Sequence, residues 1–159
     1  DARFLGAGEN DQAGAKVMGP GDVDGDGLAD LLIAARCSDC AEDWSGRAYL
    51  MLTDSSGSYS GDVDLGAADA AFEGAEQYDN VGLFARTPGD VDGDGLADLV
   101  INSSAGHHLV LGGGRLAPFS GVYSPAEADE RFVDPAGTRP TGSPSGTGIS
   151  TATGWMTCC

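Results

Sequence analysis

Positive charge is scarce in this chain. Eight Lys and Arg stand against 25 Asp and Glu, which leaves a formal net charge of −17 over 159 residues. Nucleic acid is excluded as a partner, because phosphate binding needs clustered cations, and anionic membrane surfaces are excluded for the same reason. Long apolar runs are missing too: none approaches the ~20 residues of a membrane span. Aromatic residues make up only 7%, and no stretch has the apolar periodicity of an amphipathic helix. No Ser-His-Asp set, paired Glu or phosphate-cradling loop can be assembled, so the chain is read as a non-enzyme. It has no initiator Met, no leader is visible, and Asp1 falls inside a repeat, so an internal fragment of a longer protein is expected.

Acid and glycine are abundant. The 26 glycines are about twice the average share. With seven prolines and no collagen period, they imply many tight turns between short strands. The acids are patterned. "PGDVDGDGLADLLI" at residues 20–33 returns as "PGDVDGDGLADLVI" at 88–101, 68 positions later. The duplication extends upstream at the same offset, pairing Phe4 with Phe72, Gly6 with Gly74, Asp11 with Asp79 and Gly14 with Gly82. A fixed period of this size means stacked units that bury one another's apolar faces. Strands are expected at 15–18, 30–35, 47–53 and around 70–72, then at 97–102 and 107–113. Four short strands per unit predict an all-β partial β-propeller: about two four-stranded blades and the start of a third. The units are drawn at 1–69, with a permuted start, at 70–128, and at 129–159 for a truncated third copy.

That third copy opens at "DERFVD", where Phe132 follows Phe4 by 128 positions, yet its acidic loop is replaced by "TGISTATGWMTCC". Codons that take the last base of one residue and the first two of the next restore the loop. Trp155–Met156 and Met156–Thr157 are each forced to Asp, and Cys158–Cys159 is forced to Leu. The other junctions permit Gly-Asp-Ile-Asp-Gly-Asp-Gly-Leu. Residues after about 134 are therefore expected to be a frame-shifted repeat, or else a disordered Ser/Thr/Gly-rich tail.

In the first loop Asp22, Asp24, Asp26 and Asp30 occupy positions one, three, five and nine; in the second they are Asp90, Asp92, Asp94 and Asp98. The interleaved glycines let the backbone coil until alternate carboxylates converge. Carboxylates ~4 Å apart repel by about 1 kcal/mol per pair even in water. A hard divalent cation removes that cost. Calcium, which accepts six to eight oxygens in loose geometry, suits the loop better than strictly octahedral magnesium. Position seven, Leu28 or Leu96, is expected to offer its backbone carbonyl while its side chain enters the core. One structural Ca2+ is expected per complete repeat. The loop fails as an EF-hand, since position twelve is Ile33 or Ile101 instead of Glu and a strand-like run follows.

Phe-x-Gly followed by Gly-Asp-Val-Asp-Gly-Asp-Gly-x-x-Asp-Leu-x-Ile resembles the FG-GAP repeat of the integrin alpha-chain propeller and its bacterial relatives. The resemblance runs from residue 2 to about 114. It implies four-stranded blades, calcium held by the eight aspartates named above, and a ring completed by further blades. A departure from the pattern is Ala34-Ala35-Arg36, or Asn102-Ser103-Ser104, where the family has Gly-Ala-Pro. The function it implies is a calcium-binding scaffold of a secreted or cell-surface protein, for adhesion or for binding a protein or glycan ligand. The alternative is a non-catalytic propeller domain of a larger extracellular enzyme such as a hydrolase or polysaccharide lyase.

Cys37 and Cys40 form a lone C-x-x-C, read as a small local disulfide with free thiols as the alternative. His107 and His108 are adjacent, so in a strand they point to opposite faces and cannot share a metal. Trp44 and Tyr49, as single aromatics, are read as packing.

Overall fold

The computed structural model describes residues 1–8, 11–36 and 44–133. Cys37, Cys40 and the expected frame-shifted or disordered tail lie outside the described residues. Those described form eleven strands: β1 (Ala2–Leu5), β2 (Ala13–Gly21), β3 (Asp30–Ala35), β4 (Arg47–Met51), β5 (Gly61–Asp64), β6 (Ala70–Glu73), β7 (Arg86–Gly89), β8 (Asp98–Ser103), β9 (Gly106–Val110), β10 (Gly121–Tyr123) and β11 (Glu130–Phe132). The only helices among them are single 3-10 turns at Leu65–Ala67 and Pro125–Glu127. The all-β expectation holds, and no helix of the described residues is long and apolar enough to cross a membrane.

Three sheets result. The first is the parallel pair β1–β5, the second runs β10-β6-β4-β3-β2, and the third runs β11-β9-β8-β7. In each of the two larger sheets an antiparallel meander precedes and follows the acidic segment, as a blade requires. The described residues make two such blades and the separate β1–β5 pair; they do not close a ring.

The Phe-bearing strands that open the second and third sequence units join the sheet of the unit before them. Phe72 of β6 pairs with Ala48 of β4, and Phe132 of β11 pairs with His107 of β9. The sequence period is thus out of phase with the sheets. Five strands lie outside the expected stretches: β1, β7 and β11 repeat positions that are strands in another unit, whereas β5 and β10 have no such counterpart and add in parallel to the outer edges of β1 and β6. They carry only Gly-Asp-Val-Asp and Gly-Val-Tyr, too little to signal a strand alone. Both begin with the same bond, Gly61 N–H to Asp1 O and Gly121 N–H to Asp69 O.

The near-continuous apolar runs of β3 and β4 follow from burial on both faces. Leu32, Leu50 and Phe72 face the third sheet and pack with Val81, Leu99, Ile101 and Val110. Ile33, Tyr49 and Met51 point the other way, against Phe4 and Val63 of the β1–β5 pair. Tyr49 is therefore a core residue, as read. Trp44 is half-buried with the Arg36 guanidinium 4.8 Å from its ring centroid.

The adjacent histidines separate by face as expected: His107 is half-buried and His108 is 2% exposed. His108 Nε2 lies 2.9 Å from Ser103 Oγ, and its Nδ1 has no hydrogen-bond partner among the described residues. Burial first, then Arg131 and His107, push its pKa down to about 4, while Asp79 acts the other way. The unfolded chain therefore takes up this proton before the folded one. The stability contributed by neutral His108 is whole above its ordinary 6.5 and disappears as pH falls toward about 4. Urea midpoints followed from pH 7 to pH 4.5 should show wild type losing about 2 kcal/mol more than His108→Gln over that window. Equal losses in the two proteins would remove His108 as the cause.

Candidate metal centre

Each acidic segment joins the first two strands of its blade: residues 22–29 link β2 to β3, and 90–97 link β7 to β8. Both fold by the same set of short-range bonds. Asp22 accepts Gly25 N–H at 2.7 Å and Gly27 N–H at 2.9 Å through its two carboxylate oxygens. Asp24 accepts Asp26 N–H at 3.1 Å, and Asp26 accepts Leu28 N–H at 2.7 Å. In the second loop Asp90 holds Gly93 and Gly95 at 2.7 and 2.9 Å, Asp92 holds Asp94 at 3.1 Å, and Asp94 holds Leu96 at 2.8 Å. The coil needs left-handed backbone at two points per loop, with φ of +88° and +87° at Gly25 and Gly27 and of +83° and +96° at Gly93 and Gly95. A side chain at these positions is strained, which explains the strict Asp-Gly-Asp-Gly spelling.

The consequence is convergence of acid. Asp22, Asp24 and Asp26 each bring a carboxylate oxygen within 4.8 Å of the others, and so do Asp90, Asp92 and Asp98. Asp24, Asp26, Asp90, Asp92 and Asp94 are exposed and Asp22 is half-buried, so both loops open to solvent. The donor set is all hard oxygen with lone pairs left over, which suits a calcium-like cation.

Position nine does something the sequence reading missed. Asp30 is 1% exposed and Asp98 fully buried. Asp30 accepts Val23 N–H at 2.8 Å and Thr53 N–H at 2.9 Å; Asp98 accepts Val91 N–H at 2.7 Å and Gly112 N–H at 2.9 Å. Each carboxylate therefore ties the start of its loop to the chain just beyond the third strand of the blade. The local signal was an acid placed directly before an apolar strand, but Thr53 and Gly112 had no signal in the sequence. Burial raises the pKa of both groups. Two backbone hydrogen bonds oppose that rise, and the neighbouring loop carboxylates add to it. The charged form is thus held at a cost that a cation would relieve.

Leu28 and Leu96 depart from expectation. Both are half-buried and stand outside the two core clusters. The Leu96 side chain lies instead against Gly25 of the first loop, because the two loops are neighbours at the seam between blades.

The class of protein is set by these features: a repeat protein of stacked, blade-like sheets of five and four strands with an acidic loop between the first two strands of each blade. Within it, the family model of the FG-GAP repeat matches residues 17–51. That stretch runs from β2 through the first acidic loop to the end of β4, so it is an FG-GAP repeat, in agreement with the resemblance of the sequence. No curated protein matches the chain.

Proposed function

We propose that this chain is a calcium-stabilised segment of a β-propeller in a secreted or cell-surface protein, where it serves as scaffold for adhesion or for binding a protein or glycan. The observation that carries the reading is the pair of loops that converge three carboxylates each through matching bonds. A solvated acidic turn has no need to bring three like charges together, and both loops do so, one with Asp22, Asp24 and Asp26 and the other with Asp90, Asp92 and Asp98. Asp22, Asp24, Asp26 and Asp30 hold one ion, and Asp90, Asp92, Asp94 and Asp98 the other, with the carbonyls of Leu28 and Leu96 completing the oxygen set. The ion is structural: it neutralises the loop and pins the two strands that leave it. Exposed loops of this kind match calcium affinities of about 10⁻⁴–10⁻³ M, typical of extracellular modules, and are filled where calcium is millimolar. The net charge of −17 supports a cation as ligand and a partner other than nucleic acid.

Equilibrium dialysis of the full chain against calcium tests this. About two ions should bind per chain, and Asp24→Asn combined with Asp26→Asn should leave about one. Magnesium at equal concentration should displace little of either. Fewer than one bound ion at several millimolar calcium would end the reading.

A further inference from the structure

The seam between the two blades passes through both acidic loops. Asp22, the first acid of loop one, has its carbonyl oxygen bonded to Ala97 N–H at 2.6 Å. Ala97 stands between Leu96 and Asp98, inside loop two. A Cβ built on Gly21 would sit 3.3 Å from the Ala97 Cβ, and one on Gly25 would sit 3.2 Å from Leu96 Cδ2. The residue that anchors Asp98, Gly112, is wedged in the same place: a Cβ there would lie 2.8 Å from both Val23 O and Ala97 O. Val23, fully buried, shares one apolar cluster with Ala97, Leu99 and Val110. One contiguous path therefore runs from the Asp98 carboxylate through Gly112 to Val23 and the backbone of Asp22.

We infer that the two loops are a coupled unit, in which a calcium ion held by either loop raises the affinity of the other. The inference rests on the calcium reading above and concerns how the two sites regulate each other. Filling loop two draws its acids inward and immobilises Leu96, Ala97 and Asp98. Those residues hold Gly25 and Asp22, so loop one then has less freedom left to lose when its own ion arrives. The opposing effect is the weaker acidic field at one loop once the other is filled. That field acts between exposed groups and is screened over ~8 Å at physiological salt, whereas the contacts are direct.

The test is an NMR-monitored titration of the full chain with calcium chloride in about 0.15 M salt. The Gly25 and Gly27 amides report loop one, and those of Gly93 and Gly95 report loop two. In wild type both pairs should follow one curve steeper than a single-site hyperbola. In Asp92→Asn/Asp94→Asn, which disables loop two at exposed positions, loop one should titrate as a plain hyperbola with a midpoint about fivefold or more higher. The Ala97 amide, although in the disabled loop, should still shift as loop one fills. The reciprocal variant, Asp24→Asn/Asp26→Asn, should weaken loop two by the same factor, a symmetry that local unfolding would not produce. Independent hyperbolas in wild type, a curve shallower than a hyperbola, or an unchanged loop-one midpoint would each overturn the coupling while leaving the calcium reading intact. Absence of any shift in wild type would overturn both.

Discussion

Heated in about 10 mM calcium, the full chain should melt ~10–20 °C above its midpoint in chelator, the largest effect expected of any single change of condition. At the tighter end of the affinity range proposed for the loops, about 10⁻⁴ M, 10 mM calcium is ~100 times Kd and each ion stabilises by about 2.7 kcal/mol, so two loops contribute ~5 kcal/mol. For a domain of this size each kcal/mol moves the midpoint by ~2–4 °C. The cost relieved is visible in each loop: three converging carboxylates, with a buried carboxylate disfavoured in its charged form by desolvation, Asp30 beside the first trio and Asp98 within the second. Scanning calorimetry in calcium, in chelator and in magnesium measures it. Coincident midpoints in calcium and chelator would remove the structural ion.

Phe72→Ala should lower stability by ~3–5 kcal/mol in denaturant titrations, with Phe4→Ala costing less than half as much. The two residues hold the same place in the sequence repeat, 68 positions apart. Phe72 has no exposed surface, stands between β4 and β10, and lies 5.9 Å from the Tyr123 ring in the core between the blades. Phe4 is half-buried in the two-stranded sheet, with the Tyr59 ring 5.2 Å away at its edge. Truncating the first leaves a cavity that rigid sheets on two sides cannot close, while the second faces fewer neighbours. Equal losses would mean that the blade interface is not where the stability resides.

The contrast between Phe4 and Phe72 also marks where sequence reasoning stops. Both announce a repeat, and the repeat implied stacked all-β units, which the structure has. Nothing in the residues around either Phe says which sheet the strand joins, because the fourth antiparallel strand of a blade is recruited from the following unit. The hairpins make the same point. β3 and β4 are separated by residues 36–46 and β8 and β9 by two, so the second unit is shorter although the loops before them match residue for residue. The strands β5 and β10 were silent because parallel addition to an existing edge needs backbone groups and little side-chain pattern.

What the sequence determined by itself is the shape of the acidic loops. Every bond that coils them links residues two to five apart, so Asp-x-Asp-Gly-Asp-Gly spacing and the left-handed freedom of glycine suffice. What only the tertiary structure decided is everything that joins those loops to the rest of the protein. The capture of Thr53 by Asp30 and of Gly112 by Asp98, the seating of Leu96 on Gly25 instead of in the core, and the bond from Ala97 to Asp22 all span residues distant in the chain. The physical reason is the range of the interactions: local hydrogen bonds are written in spacing, whereas contacts between blades exist only once burial of Val23, Leu50 and Phe72 against Leu99 and Ile101 has brought the sheets face to face.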